Sequence, residues 1–289
     1  MKALVLAPFT AECLKRLERR MTVLYESWLD SRRLYSPEEL GERLDAERAE
    51  LLVVEGDFVF AEVFERASSL RFVGVCRNAV NHVDLEAATR CGVTVVNTPG
   101  RNAAAVAELS LGLMLSLAHR IPSSHHIITS GQWRDPVSSY IELRGTELAG
   151  KTAGIIGLGT IGAMVARRLK PMEMTVLAYD PYIDSEAPEA QLVGLKELLT
   201  RSDFVTIHVP DTSDSHGLIG AGELALMKPS AFLINTSSAA AVDSQALIRV
   251  LEEGHIAGAA LDVFDVSPRP PPRPRRRRGH GGLAPQQGG

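Results

Sequence analysis

One short stretch constrains this chain more than any other: Gly157-Leu158-Gly159-Thr160-Ile161-Gly162, which follows the apolar run 153–156 and opens an amphipathic stretch at 161–170. Glycines at this spacing say little alone. Between a strand and a helix they describe a turn in which each glycine has a separate task. The first permits the tight bend, the second lets backbone approach a pyrophosphate, and the third lets helix pack closely on strand. The helix that starts there offers unpaired N–H groups and a partial positive charge to phosphates. Asp180 ends the next apolar run, 18 residues after Gly162. A carboxylate there accepts hydrogen bonds from ribose hydroxyls and repels a 2′-phosphate, so the pair implies a dinucleotide site that prefers NAD to NADP.

The rest of the chain fits an α/β frame. Residues 1–101 alternate short apolar runs, predicted as strands at 3–7, 22–25, 51–54, 71–75 and 93–95, with helical patterns at 10–20, 37–47, 61–68 and 83–90. Such alternation implies crossover units and a parallel sheet, here of flavodoxin-like size. A stretch at 102–129 is apolar around the whole helix and predicts one long helix, either central to a core or crossing to a partner subunit. After Gly150 the alternation resumes, with strands expected at 153–157, 175–179, 204–208, 231–235 and 257–261 and helices at 161–170 and 243–253. The expected organisation is a substrate-binding domain at 1–101, a Rossmann NAD-binding domain at 102–266 that includes the long helix, and a Pro/Arg-rich disordered tail at 267–289.

The formal charge of −4 hides an asymmetry. The last 23 residues hold six arginines, six prolines and no acid, which leaves 25 basic against 35 acidic residues for the body. An acidic body argues against bulk nucleic-acid binding. No apolar run approaches the roughly 18 residues of a membrane span. Cys13, Cys76 and Cys91 lie too far apart for a disulfide framework or a zinc knuckle, so no metal is expected and a reducing, cytoplasmic compartment fits.

Further blocks extend the pattern: Asn97-Thr98-Pro99-Gly100, Val106-Ala107-Glu108, Ala178-Tyr179-Asp180-Pro181, His208-Val209-Pro210, Met227-Lys228-Pro229, Ile234-Asn235-Thr236 and 258–264. In this order the chain resembles the D-isomer-specific 2-hydroxyacid dehydrogenases over residues 1 to about 266. The resemblance implies NAD as cofactor, a small 2-hydroxy or 2-keto acid as substrate, and a homodimer supported by the long helix. It places Gly157, Gly159, Thr160, Ile161, Gly162 and Asp180 at cofactor positions, with Thr236, Ser237 and Asp262 lining the nicotinamide half. It also places Arg77, Asn78, Ala79 and Val80 where the family offers backbone N–H groups to the substrate carboxylate.

The same resemblance exposes departures at the catalytic positions. The family arginine that holds the substrate carboxylate falls on Ser238, and the family glutamate falls on Ser267. The family histidine has no match; His280 sits in a glycine-rich setting without a preceding strand. Of the other histidines, His82 borders the presumed substrate loop, and His208 belongs to the His-Val-Pro turn. The expectation is therefore a dehydrogenase frame with no intact catalytic set, impaired or inactive, and lacking its last Rossmann strand and the segment that returns to complete the substrate domain. For the tail three readings stand side by side: a disordered end, a polyproline or nucleic-acid ligand, and, favoured here, a frame shift after about Val266, which does not explain Ser238. A non-catalytic NAD(H)-binding regulator or scaffold is the alternative.

Overall fold

A computed structural model of the chain describes residues 1–183 and 187–264. Two parallel sheets carry the fold. The first contains β1 (Lys2–Val5), β2 (Thr22–Tyr25), β3 (Leu51–Val54), β4 (Phe72–Val75) and β5 (Thr94–Asn97), in the order β2-β1-β3-β4-β5. That is the flavodoxin-like order expected for this unit. Every neighbouring pair is parallel, so each connection must cross over one face, and the intervening helices supply the crossings. Leu4, Leu52, Val54, Val73 and Val75 are buried with Leu40 and Leu44 of the helix Pro37–Glu47. That helix starts where its sequence says it should: Ser36 Oγ accepts from the Glu39 N–H and Glu39 Oε2 accepts from the Ser36 N–H, with Pro37 at the first helical position.

The second sheet contains β6 (Thr152–Ile156), β7 (Thr175–Tyr179), β8 (Gln191–Leu192), β9 (Phe204–Ile207), β10 (Phe232–Asn235) and β11 (Gly258–Leu261). Its order is β11-β10-β9-β6-β7-β8, the two-half arrangement of a Rossmann sheet. The last strand expected to be missing would follow residue 266 and so falls outside the described residues. What the sequence did not reveal is β8, whose two residues carry no periodicity and join the sheet only through pairing with Leu177 and Ala178. β9 is buried along its full length, as a central strand covered on both faces must be.

The single helix expected at 102–129 is also corrected. It is two helices, Ala103–Ala118 and Ile121–Thr129, inclined at 61°. Arg120 takes a left-handed conformation, φ +49°, and Pro122 follows, so helical hydrogen bonding cannot run through the junction. Nor is the first helix buried all round. Ala103, Ala107, Ser110, Met114 and Ala118 form one buried stripe, while Leu109 stands on an exposed side. No single described helix is long and apolar enough to cross a membrane.

Candidate functional site

Strand order in the second sheet reverses between β6 and β9, and a crevice opens at the carboxyl ends of these two strands. Gly157 follows β6 with φ +89°, a backbone that L side chains rarely adopt, and a Cβ there would lie 2.6 Å from the His208 carbonyl oxygen across the crevice. At Gly162 a Cβ would lie 2.1 Å from the Gly157 carbonyl oxygen, so helix and strand meet with no room for a methyl group. Gly159 differs: a Cβ there meets nothing within 4 Å. The helix Thr160–Leu169 begins at that open point, and no side chain caps its N-terminus. Asp180 fastens the turn, with Oδ2 accepting from the Leu158 N–H at 2.9 Å and Oδ1 from the Tyr182 N–H at 2.9 Å.

Two glycines forced by contact, one left open, and an uncapped helix end fit a dinucleotide pyrophosphate. The crevice encloses about 180 Å³ between Gly157, Gly159, Asp180 and Tyr182 on one side and His208 and Pro210 on the other. Across its mouth the Tyr182 hydroxyl donates to Asp214 Oδ2 at 3.1 Å, and this bond raises the tyrosine pKa above its ordinary value. Neither residue stood out in the sequence. The signal was available only in part, as the aromatic residue after Asp180-Pro181.

A second cleft, about 580 Å³, separates the two sheets' loops. One wall is Asn78, Ala79 and Val80, three of the four residues expected at the substrate carboxylate, and the other includes Pro210 and Asp211. Arg77 is exposed, and its carbonyl accepts from the Thr98 N–H; the Asn78 carbonyl accepts from Asn97 Nδ2 at 2.7 Å. Pro210 borders both clefts, so the substrate loop and the glycine turn face a common junction.

Ser238 is 6% exposed, and its hydroxyl donates to Asp211 Oδ1 at 3.2 Å. The same oxygen pairs with His216 Nε2 at 2.9 Å. Sequence reading singled out Ser238 but missed Asp211 and His216. An acid directly after His208-Val209-Pro210 was the signal that could have found the first. Asn235 organises the surrounding turn: Oδ1 accepts from the Ser237 N–H and hydroxyl, Nδ2 donates to the Ser238 carbonyl, and its carbonyl accepts from the Asp262 N–H. Thr236 is buried, its hydroxyl 2.9 Å from that of Ser110 on the helix Ala103–Ala118. Thr236, Ser237 and Asp262 thus gather at the carboxyl ends of β10 and β11, beside the crevice. The exposed Asp262 carboxylate is the outermost of the three.

The histidines divide by environment. His82 is 4% exposed, both ring nitrogens lack a partner, and it does not line the cleft. Burial, then the Arg77 charge, lowers its pKa, and the buried ring is not part of the cleft lining. His208 is buried too, with Nε2 3.0 Å from the Thr206 hydroxyl, and burial lowers its pKa to about 4. Both rings are neutral near pH 7. Ser267, His280 and the tail at 267–289 lie outside the described residues. Among the described residues, no group of three or more His, Cys, Asp or Glu side chains is placed to hold a metal ion.

The chain is similar in sequence and fold to known proteins. Residues 111–281 fit the family model for the D-isomer specific 2-hydroxyacid dehydrogenase, NAD binding domain. A protein of Bacillus subtilis strain 168, named as a 2-hydroxyacid dehydrogenase, is 40% identical over 270 residues, covering 93% of this chain and 78% of that one. The glyoxylate reductase of Thermofilum pendens is 41% identical over 239 residues, 81% of this chain and 70% of the relative. Among solved structures, a Thermus thermophilus protein superposes with a TM-score of 0.82 at 36% identity, over 94% of this chain and 84% of that one.

Proposed function

From the premise that the chain belongs to the D-isomer-specific 2-hydroxyacid dehydrogenases, NAD-dependent oxidoreductases of small 2-hydroxy and 2-keto acids, we propose a specific division of labour among its residues. Residues 1–101 form the substrate-binding unit and 102–266 the NAD-binding unit. Gly157, Gly159, Thr160, Ile161 and Gly162 hold the pyrophosphate of NAD, and Asp180 holds the adenosine ribose. Thr236, Ser237 and Asp262 line the nicotinamide half, and the Arg77–Val80 loop offers N–H groups to the substrate carboxylate. When bound, the nicotinamide supplies a hydride acceptor or donor at C2 of the acid. The chain's own groups orient both molecules at the Pro210 junction and shield them from water.

What this chain does not supply is a guanidinium at position 238. An arginine offers a planar fork of donors to a carboxylate, whereas a serine hydroxyl is short and here already donates to Asp211. The Asp211 carboxylate also brings a negative charge to the cleft wall where a 2-keto acid's carboxylate must enter. The observation that carries this reading is the Ser238–Asp211 bond, and the reading is a cofactor-binding dehydrogenase with impaired turnover. The same bond favours the second reading, an NAD(H)-binding regulator, because it gives Ser238 a structural task of its own.

The apolar helices that follow Ala118 support a homodimer. Ile121, Ile128, Val137, Tyr140 and Ile141 are all exposed in the single chain, and a second copy would cover them. The three cysteines are free, in keeping with a cytoplasmic setting.

NADH fluorescence titration, followed by NADH oxidation with glyoxylate, pyruvate and hydroxypyruvate, tests the proposal. Binding with turnover far below that of the Thermofilum pendens relative is expected. Absence of binding would overturn the cofactor assignment, and full turnover would overturn the impairment. Binding with no turnover for any acid, even in a Ser238→Arg variant, would favour the regulator.

A further inference from the structure

The helix Ala11–Glu18 lies against β2, the outer strand of the first sheet, far in sequence from the residues that form either cleft. It buries none of its residues. Its stripe of Cys13, Arg16 and Leu17 has the i, i+3, i+4 spacing of one helical face, and Arg19 and Arg20 follow in the turn beyond its end. This stripe, with Phe9, Arg19 and Arg20, lines a concavity of about 430 Å³, within the range of small-molecule sites. No residue of this lining is shared with the crevice at Gly157 or the cleft at Asp211.

Charge gives the place its chemistry. The body of the chain carries an excess of acids, yet three arginines line this one concavity and none has an ion-pair partner among the described residues, although Glu12 and Glu18 share the helix. Arg33, Arg43 and Arg66 of the same sheet unit are paired with Glu39, Glu47 and Glu42, while Arg32, Arg48, Arg71, Arg77 and Arg90 are, like these three, without an ion pair. It is the shared lining and not the lack of a partner that sets the three apart. Guanidinium groups around an apolar floor of Phe9 and Leu17 match a phosphate joined to an apolar body, because the fork of donors fits phosphate oxygens and the floor takes the remainder.

We propose that this concavity is a binding site for a small phosphorylated molecule with an apolar body. It stands apart from the dinucleotide and substrate clefts and does not depend on the role assigned to them. Cys13 gives a direct reporter because its exposed thiol lines the site, while the exposed Cys91 does not. The test is iodoacetamide labelling of the full chain with saturating NADH, mapped by peptide mass spectrometry, with inorganic pyrophosphate as the probe.

Pyrophosphate should slow Cys13 labelling with half-maximal protection at or below about 1 mM, a weak but specific affinity, and leave Cys91 unchanged. Arg16→Ala/Arg20→Ala should lose the protection, and Arg16→Lys/Arg20→Lys should keep part of it. Because all four substitutions are at exposed positions, far-UV circular dichroism should report an unchanged fold. No protection of the native chain, or protection that survives in the alanine variant, would overturn the proposal. Protection by an oligoglutamate peptide but not by pyrophosphate would also overturn it, in favour of an acidic protein partner.

Discussion

Replacing Gly159 with alanine should weaken NADH binding and leave the fold intact. Gly159 has φ −69° and ψ −160°, open to any residue, and its added Cβ meets no heavy atom within 4 Å. Stability should therefore stay within about 0.5 kcal/mol of the native chain. The open space is where the pyrophosphate must approach the uncapped helix end. A methyl group there holds the phosphates away from the first N–H groups. Losing one or two charge-assisted hydrogen bonds, about 1.5–3 kcal/mol each, makes a loss of about 3 kcal/mol, or roughly a hundredfold in Kd. Gly162→Ala is the contrast. Its Cβ would lie 2.1 Å from the Gly157 carbonyl oxygen and 3.2 Å from Ile155 Cγ2, so backbone must move. Overpacking of that kind costs about 1–3 kcal/mol or more, and this variant should lose both stability and affinity. NADH fluorescence titration and urea unfolding on both variants separate the two effects. If Gly159→Ala binds NADH within about twofold of the native chain, a difference near 0.4 kcal/mol, the helix end does not face the cofactor and the reasoning fails.

Other outcomes follow from the same geometry. Ser238→Arg should raise the affinity of the NADH complex for oxamate, an unreactive 2-keto-acid mimic, about tenfold by calorimetry, since a guanidinium–carboxylate bond contributes about 1.5–3 kcal/mol and Asp211 offsets part of it. His208 has its pKa lowered by burial to about 4 from 6.5, so below pH 6.5 the unfolded chain takes up a proton that the folded chain refuses. Stability should fall as pH drops from 6.5 towards 4 by about 3 kcal/mol from this residue, and His208→Asn should flatten, though not abolish, that slope in urea titrations at several pH values, because His82 is shifted the same way. Tyr140→Asp, at a position 71% exposed in the single chain, should turn a dimer into a monomer in sedimentation velocity; an unchanged sedimentation coefficient would remove that face from the interface.

The strands at 22–25, 51–54 and 175–179 lie where hydrophobic runs and turn residues placed them, and most others shift by one or two residues. Buried parallel strands must be apolar along their length, and that signal is local. β8 was invisible because two residues carry no period, and it exists through its partner β7. The break at Arg120 was readable in part from Pro122, but apolar composition on both sides outweighed it. The glycine turn was legible because each of its requirements, a positive φ or a missing Cβ, is a property of glycine itself. The Ser238–Asp211–His216 chain was not, since it joins a turn after β10 to a loop after β9 that lies 27 residues earlier.

By itself, then, the sequence determined two α/β units, the glycine-rich strand–turn–helix, the carboxylate that follows β7, and the family, because steric and periodic demands act within a few residues. Tertiary structure decided which groups meet at the junction. It withdrew His82 from the cleft, engaged Thr236 with Ser110 from 126 residues away, and set Asp211 against Ser238. These depend on how the sheets' carboxyl ends face one another, and no local pattern encodes that.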